Sequence, residues 1–85
     1  MNHPSIKLGV YRHFKGHEYR VLGVAYHSEN LEPMVVYQSL YDSEEFPKGT
    51  LWVRPLKMFI EEVEVDRVKQ PRFAFIASEK LSNAS

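Results

Sequence analysis

A chain of 85 residues without cysteine has the length of one small domain, and it excludes disulfide cross-links, thiolate metal sites and thiol catalysis. Its eleven basic and eleven acidic residues give a net charge of zero, which argues against a general affinity for nucleic acids. The sequence has neither the apolar run of a signal peptide nor that of a membrane span, so we expect a cytoplasmic protein.

The first third of the chain predicts a β-hairpin. Residues 9–14 and 19–27 are both rich in β-branched and aromatic residues, which favour strands. Lys15-Gly16 between them is typical of a turn, because glycine tolerates positive φ. Gly23 lies in the middle of the second strand and predicts a bend or a close approach of two backbones.

The register of this hairpin stays open at the level of sequence. A two-residue loop at Lys15-Gly16 places His13 opposite Glu18, whereas a bulged loop shifts every pair by one residue. The choice decides which side chains are neighbours across the two strands.

Two further strands are predicted in the middle of the chain. Residues 34–41 are rich in β-formers and follow a loop of polar composition at 28–33. Residues 42–49 are polar and contain a proline and a glycine, both of which interrupt regular structure. A short fourth strand is therefore expected at 50–53.

The last third of the chain predicts one helical turn followed by extended structure. Pro55 suits the first position of a helix, so residues 55–60 are expected to form a single turn. Valine alternates with charged residues in 63–68, and an apolar run follows Pro71. These patterns predict one bent edge segment or two short strands over 63–76.

Five or six short strands with tight turns and one short helical turn indicate an all-β fold. A small SH3-like antiparallel barrel is the most economical arrangement, because closure removes exposed sheet edges. We expect a single domain, 1–85, with an ordered core of about 7–76 and a frayed C-terminal tail at 78–85.

Charge is unevenly distributed along the neutral chain. Residues 1–20 carry four basic side chains and one acidic one, as do residues 67–85, whereas residues 21–66 carry three basic and nine acidic ones. In an SH3-like arrangement the last strand pairs with the first, which would gather one basic face. Its members would be Arg12, Lys15, Lys69 and Arg72. Such a face predicts weak, salt-sensitive binding to polyanions.

Several short motifs follow one another in order along residues 9–76. They are Tyr11-Arg12-His13-Phe14-Lys15-Gly16, then Tyr19, Val21, Gly23 and Ala25, then His27-Ser28-Glu29, Val36-Tyr37, Leu51-Trp52-Val53-Arg54-Pro55, Phe59 and Arg72-Phe73. This series resembles the bacterial family catalogued as domain of unknown function 1653. The resemblance implies a compact SH3-type β-barrel in a stand-alone cytoplasmic protein, and it implies no activity. Asn30 stands where the family pattern has threonine, and its side chain can still close an Asx-turn.

The residue types needed for metal binding or catalysis are sparse. His13 and His17 are four residues apart but flank a turn, so they are interpreted as turn or surface histidines. Neighbouring acids such as Glu29 and Glu32 are more typical of a solvated surface than of an acid–base pair. The chain has no cysteine and no serine in a nucleophile elbow. We therefore predict no metal, no cofactor and no catalytic residue, with enzymatic activity as the open alternative.

Arg54 admits two interpretations. Next to Trp52 and before Pro55, its guanidinium could present a fork to a carboxylate or phosphate of a ligand. Alternatively it forms a structural ion pair with Glu29 or Glu61. The large aromatic residues nearby are expected in the core, because so short a chain needs them there, and Trp52 is expected to be at least half buried. They are Tyr37, Trp52, Phe59 and Phe73.

The predicted hairpin supplies most of the candidate site. Tyr11, His13 and Lys15 alternate, so they share one side of their strand. Because buried charge is costly unless paired, this side is interpreted as paired with an acid or open to a ligand, with Tyr11 and Tyr19 as an open aromatic platform. The candidate ligand-binding residues are Tyr11, His13, Lys15, Tyr19, Glu29 and Arg54.

Three functions follow from these features and stay open. The first is a small cytoplasmic binding module that contacts a protein, a peptide or a small acidic ligand through the Tyr11–Tyr19 hairpin. The second is a small enzyme or metabolite-binding protein with a site centred on His13, Glu29 and Arg54. The third is a weak nucleic-acid binder that uses the basic face. No membrane partner and no tight nucleic-acid binding are expected.

Overall fold

Seven β-strands and one helical turn make up residues 6–78, the part of the chain that the computed structural model describes. This confirms the predicted all-β class with one short helical turn. None of these residues belongs to a helix long and apolar enough to cross a membrane. The cytoplasmic location stays a prediction, and the predicted frayed tail lies outside the described residues except for Ser78. The elements are β1 (Gly9–His13), β2 (Glu18–Tyr26), β3 (Pro33–Ser39), β4 (Leu51–Pro55), α1 (Leu56–Phe59), β5 (Glu62–Val65), β6 (Val68–Pro71) and β7 (Phe73–Ser78).

Five of the strands form one antiparallel sheet in the order β4-β3-β2-β1-β7. The first strand therefore pairs with the last, as the SH3-like arrangement predicted, and His13 lies opposite Phe73. Within the described chain the two remaining strands, β5 and β6, pair only with each other.

The predicted closure into a barrel is not observed, because the five-stranded sheet has two edges, β4 and β7. Residues 62–71, which would have to bridge those edges, form the β5–β6 hairpin instead. The chain reverses at Asp66 and Arg67, whose φ angles of 52° and 67° are both positive. Two positive φ angles suit a two-residue hairpin turn. The prediction of at most two strands over 63–76 was therefore wrong, since that stretch contains parts of three.

The β1–β2 hairpin adopts the bulged register. The backbone N–H of Gly16 donates to the carbonyl of His13 at 2.7 Å, and the N–H of His13 donates to the carbonyl of His17 at 2.8 Å. Gly16 has φ of 109°, which explains why glycine is needed in this three-residue loop. Arg12 consequently lies opposite Glu18, and their side chains form an ion pair of 2.8 Å.

Gly23 marks the predicted irregularity in β2. The pairing with β3 shifts register between Val21 and Gly23, so Leu22 is the extra residue of a β-bulge. A Cβ atom on Gly23 would meet no atom within 4 Å. The glycine therefore accompanies a bend in the strand and not a close approach of two backbones.

The hydrophobic core covers one face of the five-stranded sheet. The helical turn α1 closes it with two buried residues three positions apart, Leu56 and Phe59. The Phe59 ring stacks on that of Phe73 with centroids 4.1 Å apart, and Trp52 packs against the core while staying partly buried, as predicted. The buried core residues are Tyr11, Val21, Val35, Tyr37, Leu56, Phe59 and Phe73.

Candidate functional site

A pocket of about 220 Å³ lies on the core side of the sheet, between strands β2 to β4 and the loop that joins β3 to β4. We call it the Arg54 pocket. Among residues 6–78, eight residues line it, of which five are aromatic and none is acidic. They are Tyr19, Tyr37, Ser39, Tyr41, Ser43, Phe46, Trp52 and Arg54.

Strand geometry explains why these residues face one cavity. Side chains two apart in a strand share a face, so Tyr37 and Ser39 project together from β3, as do Trp52 and Arg54 from β4. In the observed register Tyr19 lies opposite Ser39, and Tyr37 lies opposite Trp52. The pocket therefore continues the inner face of the sheet beyond the core.

The β3–β4 loop supplies the outer wall. The side chain of Asp42 accepts a hydrogen bond of 2.6 Å from the backbone N–H of Lys48, and the N–H of Ser43 donates to the carbonyl of Phe46 at 2.9 Å. The Phe46 ring meets Trp52 edge-on, with centroids 4.8 Å apart. These contacts hold a loop of polar composition against the aromatic strand residues.

Arg54 is the only charged residue among the described residues of the lining, and it is partly buried. Its Nε donates a hydrogen bond of 3.3 Å to the hydroxyl of Tyr37. Its guanidinium carbon lies 5.6 Å from the centre of the Phe73 ring, a cation–π distance. These contacts hold the guanidinium in place. Neither of its terminal nitrogens donates a hydrogen bond to an acceptor within residues 6–78.

The alternative role of Arg54 in a structural ion pair is not observed. No carboxylate among the described residues lies within 4.0 Å of it. Glu61 pairs with Arg72 instead, at 3.1 Å. Glu29 lies exposed in the loop between β2 and β3, where its backbone N–H donates to His27.

Other donors surround Arg54 in the pocket. The indole Nε1 of Trp52 is buried and has no hydrogen-bond partner in the part of the chain that the structure describes. The hydroxyls of Tyr19 and Tyr41 are 2.8 Å apart and share a hydrogen bond. Burial, reinforced by this hydrogen bond, raises the pKa of Tyr19 well above its ordinary value. Its phenol therefore stays neutral and cannot supply a counter-charge for Arg54.

Two of the six predicted site residues, Tyr19 and Arg54, line this pocket together. His13 lies close by, because its ring meets Phe73 edge-on at 4.9 Å. Burial lowers the pKa of His13 below its ordinary value, and the positive charges of Arg54 and Lys15 lower it further. His13 does not line the Arg54 pocket, and it lines a second pocket together with Arg12 and Phe14.

Tyr11 does not form an open platform with Tyr19. It is only 6% exposed, and its ring meets those of Phe59 and Phe75 edge-on at 5.4 and 5.3 Å. Its hydroxyl donates to the carbonyl of Lys7 at 2.8 Å. The side of β1 that the sequence presented as a poor core face is thus a core face, because tyrosine can bury its ring and still satisfy its hydroxyl.

Lys15 and Glu29 lie at opposite ends of the structure's longest strand. Lys15 is exposed in the turn before β2, with its ammonium 5.9 Å from the Phe14 ring. Glu29 is in the loop after β2, roughly 25 Å away along a nine-residue strand. The structure therefore does not gather His13, Lys15 and Glu29 around one point. Whether any of them contacts a ligand stays a prediction.

The predicted basic face is partly neutralised. Arg12 pairs with Glu18 and Arg72 pairs with Glu61, at 2.8 and 3.1 Å. Two of its four expected members thus have acidic partners. Within residues 6–78, no group of three or more His, Asp and Glu side chains could hold a metal ion.

Four pocket residues were missed at the level of sequence: Ser39, Tyr41, Ser43 and Phe46. A signal for two of them existed, because Tyr37, Ser39 and Tyr41 continue one period-two alternation. No local pattern indicated that the polar stretch 42–49 would fold back over that face.

Comparison with known proteins finds similarity along nearly the whole sheet. The family described as "Protein of unknown function (DUF1653)" matches residues 9–75. A crystal structure of a protein of this family from Bordetella bronchiseptica is similar to this one, with a TM-score of 0.77 and 38% sequence identity over 86% of this chain and 90% of that chain. No curated protein matches the chain. The family resemblance seen in the sequence motifs is thus confirmed, and the chain belongs to the DUF1653 family.

Proposed function

We propose that this protein is a binding module that holds a small ligand by its acidic group, with Arg54 as the anchor. One observation carries the proposal: a partly buried guanidinium lines an aromatic pocket and has no acidic partner among the described residues. Taking a charge out of water is costly unless it is paired. A ligand carboxylate or phosphate would supply the missing partner.

The chemistry of the lining supports an anion. A guanidinium matches the two oxygens of a carboxylate with two parallel hydrogen bonds, and Nε of Arg54 is already held by Tyr37. The indole N–H of Trp52 is a further donor. None of the lining residues within 6–78 carries a carboxylate, so none of them would repel the ligand.

The pocket favours a small molecule over the other partners considered. A peptide or protein partner on the Tyr11–Tyr19 hairpin has less support, because Tyr11 is buried. An enzyme centred on His13, Glu29 and Arg54 has less support, because Glu29 lies outside the pocket. Of the two tyrosines predicted to bind through the hairpin, Tyr19 lines the Arg54 pocket and could contact the ligand.

Titration with matched acids and amides tests the proposal. Acetate and benzoate are compared with acetamide and benzamide by following backbone amide NMR signals of the pocket residues. We expect each acid to bind about 10- to 100-fold more tightly than its amide, since a hydrogen bond to a charged group is lost. An amide that binds as tightly as its acid would contradict a role for the ligand's charge.

Substitutions of arginine test whether Arg54 supplies the positive charge that binds the acid. Arg54→Gln is expected to abolish the preference for acid over amide, and Arg54→Lys to retain only part of it, because an ammonium cannot form the fork. Arg12→Gln is the matched control, since Arg12 is exposed and pairs with Glu18 outside the pocket. Equal acid binding by Arg54→Gln and the wild-type protein would refute the proposal.

A further inference from the structure

We infer that the acidic group recognised by Arg54 is carried on a single aromatic ring, so that the ligand belongs to the class of benzoate. This inference rests on the proposed function and adds the identity of the ligand's body. It follows from the size of the pocket, the arrangement of its walls and the sign of its charge.

The size of the pocket matches one ring with a short acidic group. Its volume is about 220 Å³. An apolar cavity of about 150 Å³ is enough to hold benzene, whereas pockets for drug-sized ligands begin at about 300 Å³. The Arg54 pocket lies between these limits. A carboxylate added to one ring fits this interval.

The walls of the pocket are aromatic and meet at steep angles. Tyr19 is edge-on to both Tyr37 and Tyr41, with interplanar angles of 76° and 86°. Phe46 and Trp52 meet at 69°. Walls set in this way present ring edges and ring faces to the same cavity. Edge-to-face and offset contacts are the geometries that aromatic pairs prefer, so a ligand ring gains contacts that a saturated ring does not.

The charge of the pocket selects between two ligand classes that aromatic walls can hold. Rings of tyrosine and tryptophan also bind quaternary ammonium groups through cation–π contacts. Here the guanidinium of Arg54 lies in the lining and would repel such a cation, and no acidic residue of the described lining offsets it. The same aromatic box therefore favours an aromatic anion.

The first test compares two acids of similar size in the wild-type protein. Benzoate and cyclohexanecarboxylate carry the same carboxylate on a six-membered ring, and only benzoate is aromatic. We expect benzoate to bind about 2- to 10-fold more tightly by NMR titration, with no binding of phenyltrimethylammonium. Equal affinity for the two six-membered acids would overturn the aromatic inference while leaving acid recognition by Arg54 intact.

The second test removes one wall. Phe46→Leu takes away the ring of a half-exposed loop residue, and Phe75→Leu is the matched control on β7 outside the pocket. We expect Phe46→Leu to reduce the preference for benzoate over cyclohexanecarboxylate and Phe75→Leu to preserve it. If Phe46→Leu keeps the full preference for benzoate over cyclohexanecarboxylate, the Phe46 ring does not select an aromatic ligand. Failure of every acid to bind the wild-type protein would refute both this inference and the proposed function.

Discussion

Individual side chains on the inner face of the sheet serve the core and the pocket at once. Trp52 packs against the core and also lines the Arg54 pocket. Tyr37 is buried in the core, and its hydroxyl accepts the hydrogen bond that positions Arg54. Substitutions at such residues change stability and ligand binding together, so each needs a control that separates the two.

Replacement of Trp52 by alanine should lower the free energy of unfolding by about 3 kcal/mol, because a large ring is removed and the space is not refilled. A domain has on the order of 5–10 kcal/mol in total, so the variant should be marginally stable. Chemical denaturation measures the difference. The control is Val53→Ala at the next position, where the side chain is 61% exposed. Equal effects of the two substitutions would show that Trp52 contributes little packing.

His13 should make the protein less stable in mild acid. Burial, then Arg54, Lys15, Arg72 and His17, lower the pKa of His13 in the folded state. The unfolded chain therefore binds the proton more readily, so this stability is fully present above about pH 6.5 and is lost as the pH falls below it. The unprotonated Nδ1 also accepts a hydrogen bond of 3.2 Å from the backbone N–H of Lys15.

Unfolding titrations between pH 7 and 5 test this dependence. The His13→Gln variant should lose less stability over that interval than the wild-type protein does. The control is His27→Gln, in the loop beyond the other end of β2. A wild-type slope retained in His13→Gln would assign the pH dependence to other groups.

The two glycines of the β1–β2 hairpin make different contributions to stability. Gly16 has a positive φ in the turn, whereas Gly23 has none and sits at a bulge with open space beside it. Gly16→Ala should therefore cost about 1–2 kcal/mol, since a side chain is strained in the left-handed region. Gly23→Ala should be neutral or stabilise by about 0.5 kcal/mol, because it restricts only the unfolded chain. Thermal unfolding of both variants measures these effects. A larger loss of stability in Gly23→Ala than in Gly16→Ala would contradict the register described for this hairpin.

The sequence was sufficient for elements whose signals are local. The β1–β2 hairpin and the helical turn at α1 were predicted because Gly16 and Pro55 mark them directly. The β5–β6 hairpin was missed because its turn uses Asp66 and Arg67, and neither the Asn-Gly nor the Asp-Gly pair that usually marks such a turn is present. Sheet closure was wrongly predicted for the same reason, since the closing segment pairs with itself.

The candidate site was only partly predictable for a different reason. Trp52 and Arg54 are two residues apart, so the sequence alone indicates that they share one face of a strand. Which loop covers the face, and whether an acid reaches Arg54, depend on contacts between distant parts of the chain. Glu61 was a reasonable partner for Arg54, but Arg72 occupies it.

The paired arginines on the β1–β7 side limit the protein's affinity for polyanions. Arg12 and Arg72 already have acidic partners, and the net charge of the chain is zero. We expect the protein to bind heparin weakly and to elute at a salt concentration below the physiological one. Because Arg12 and Arg72 are paired, this side makes few contacts to the anionic groups of heparin, so few counterions are released on binding. Submicromolar binding of any nucleic acid at physiological salt would contradict this and restore the nucleic-acid hypothesis.

The pairing of β1 with β7 has a consequence for how the protein folds. Phe73, at the start of β7, contacts Phe59, Tyr19 and Tyr37, so the ring at the centre of the core belongs to the last strand of the described chain. The strands β1 to β4 can form hairpins early, but their inner face stays exposed to water until Phe73 packs against it. Phe73 lies opposite His13, which is about sixty residues earlier in the chain. Contacts so distant in sequence slow folding, and folding times of milliseconds to seconds are typical of such topologies. A nascent chain that stops before Phe73 would therefore expose both an open strand and an apolar face, and it would be a target for chaperones or for aggregation.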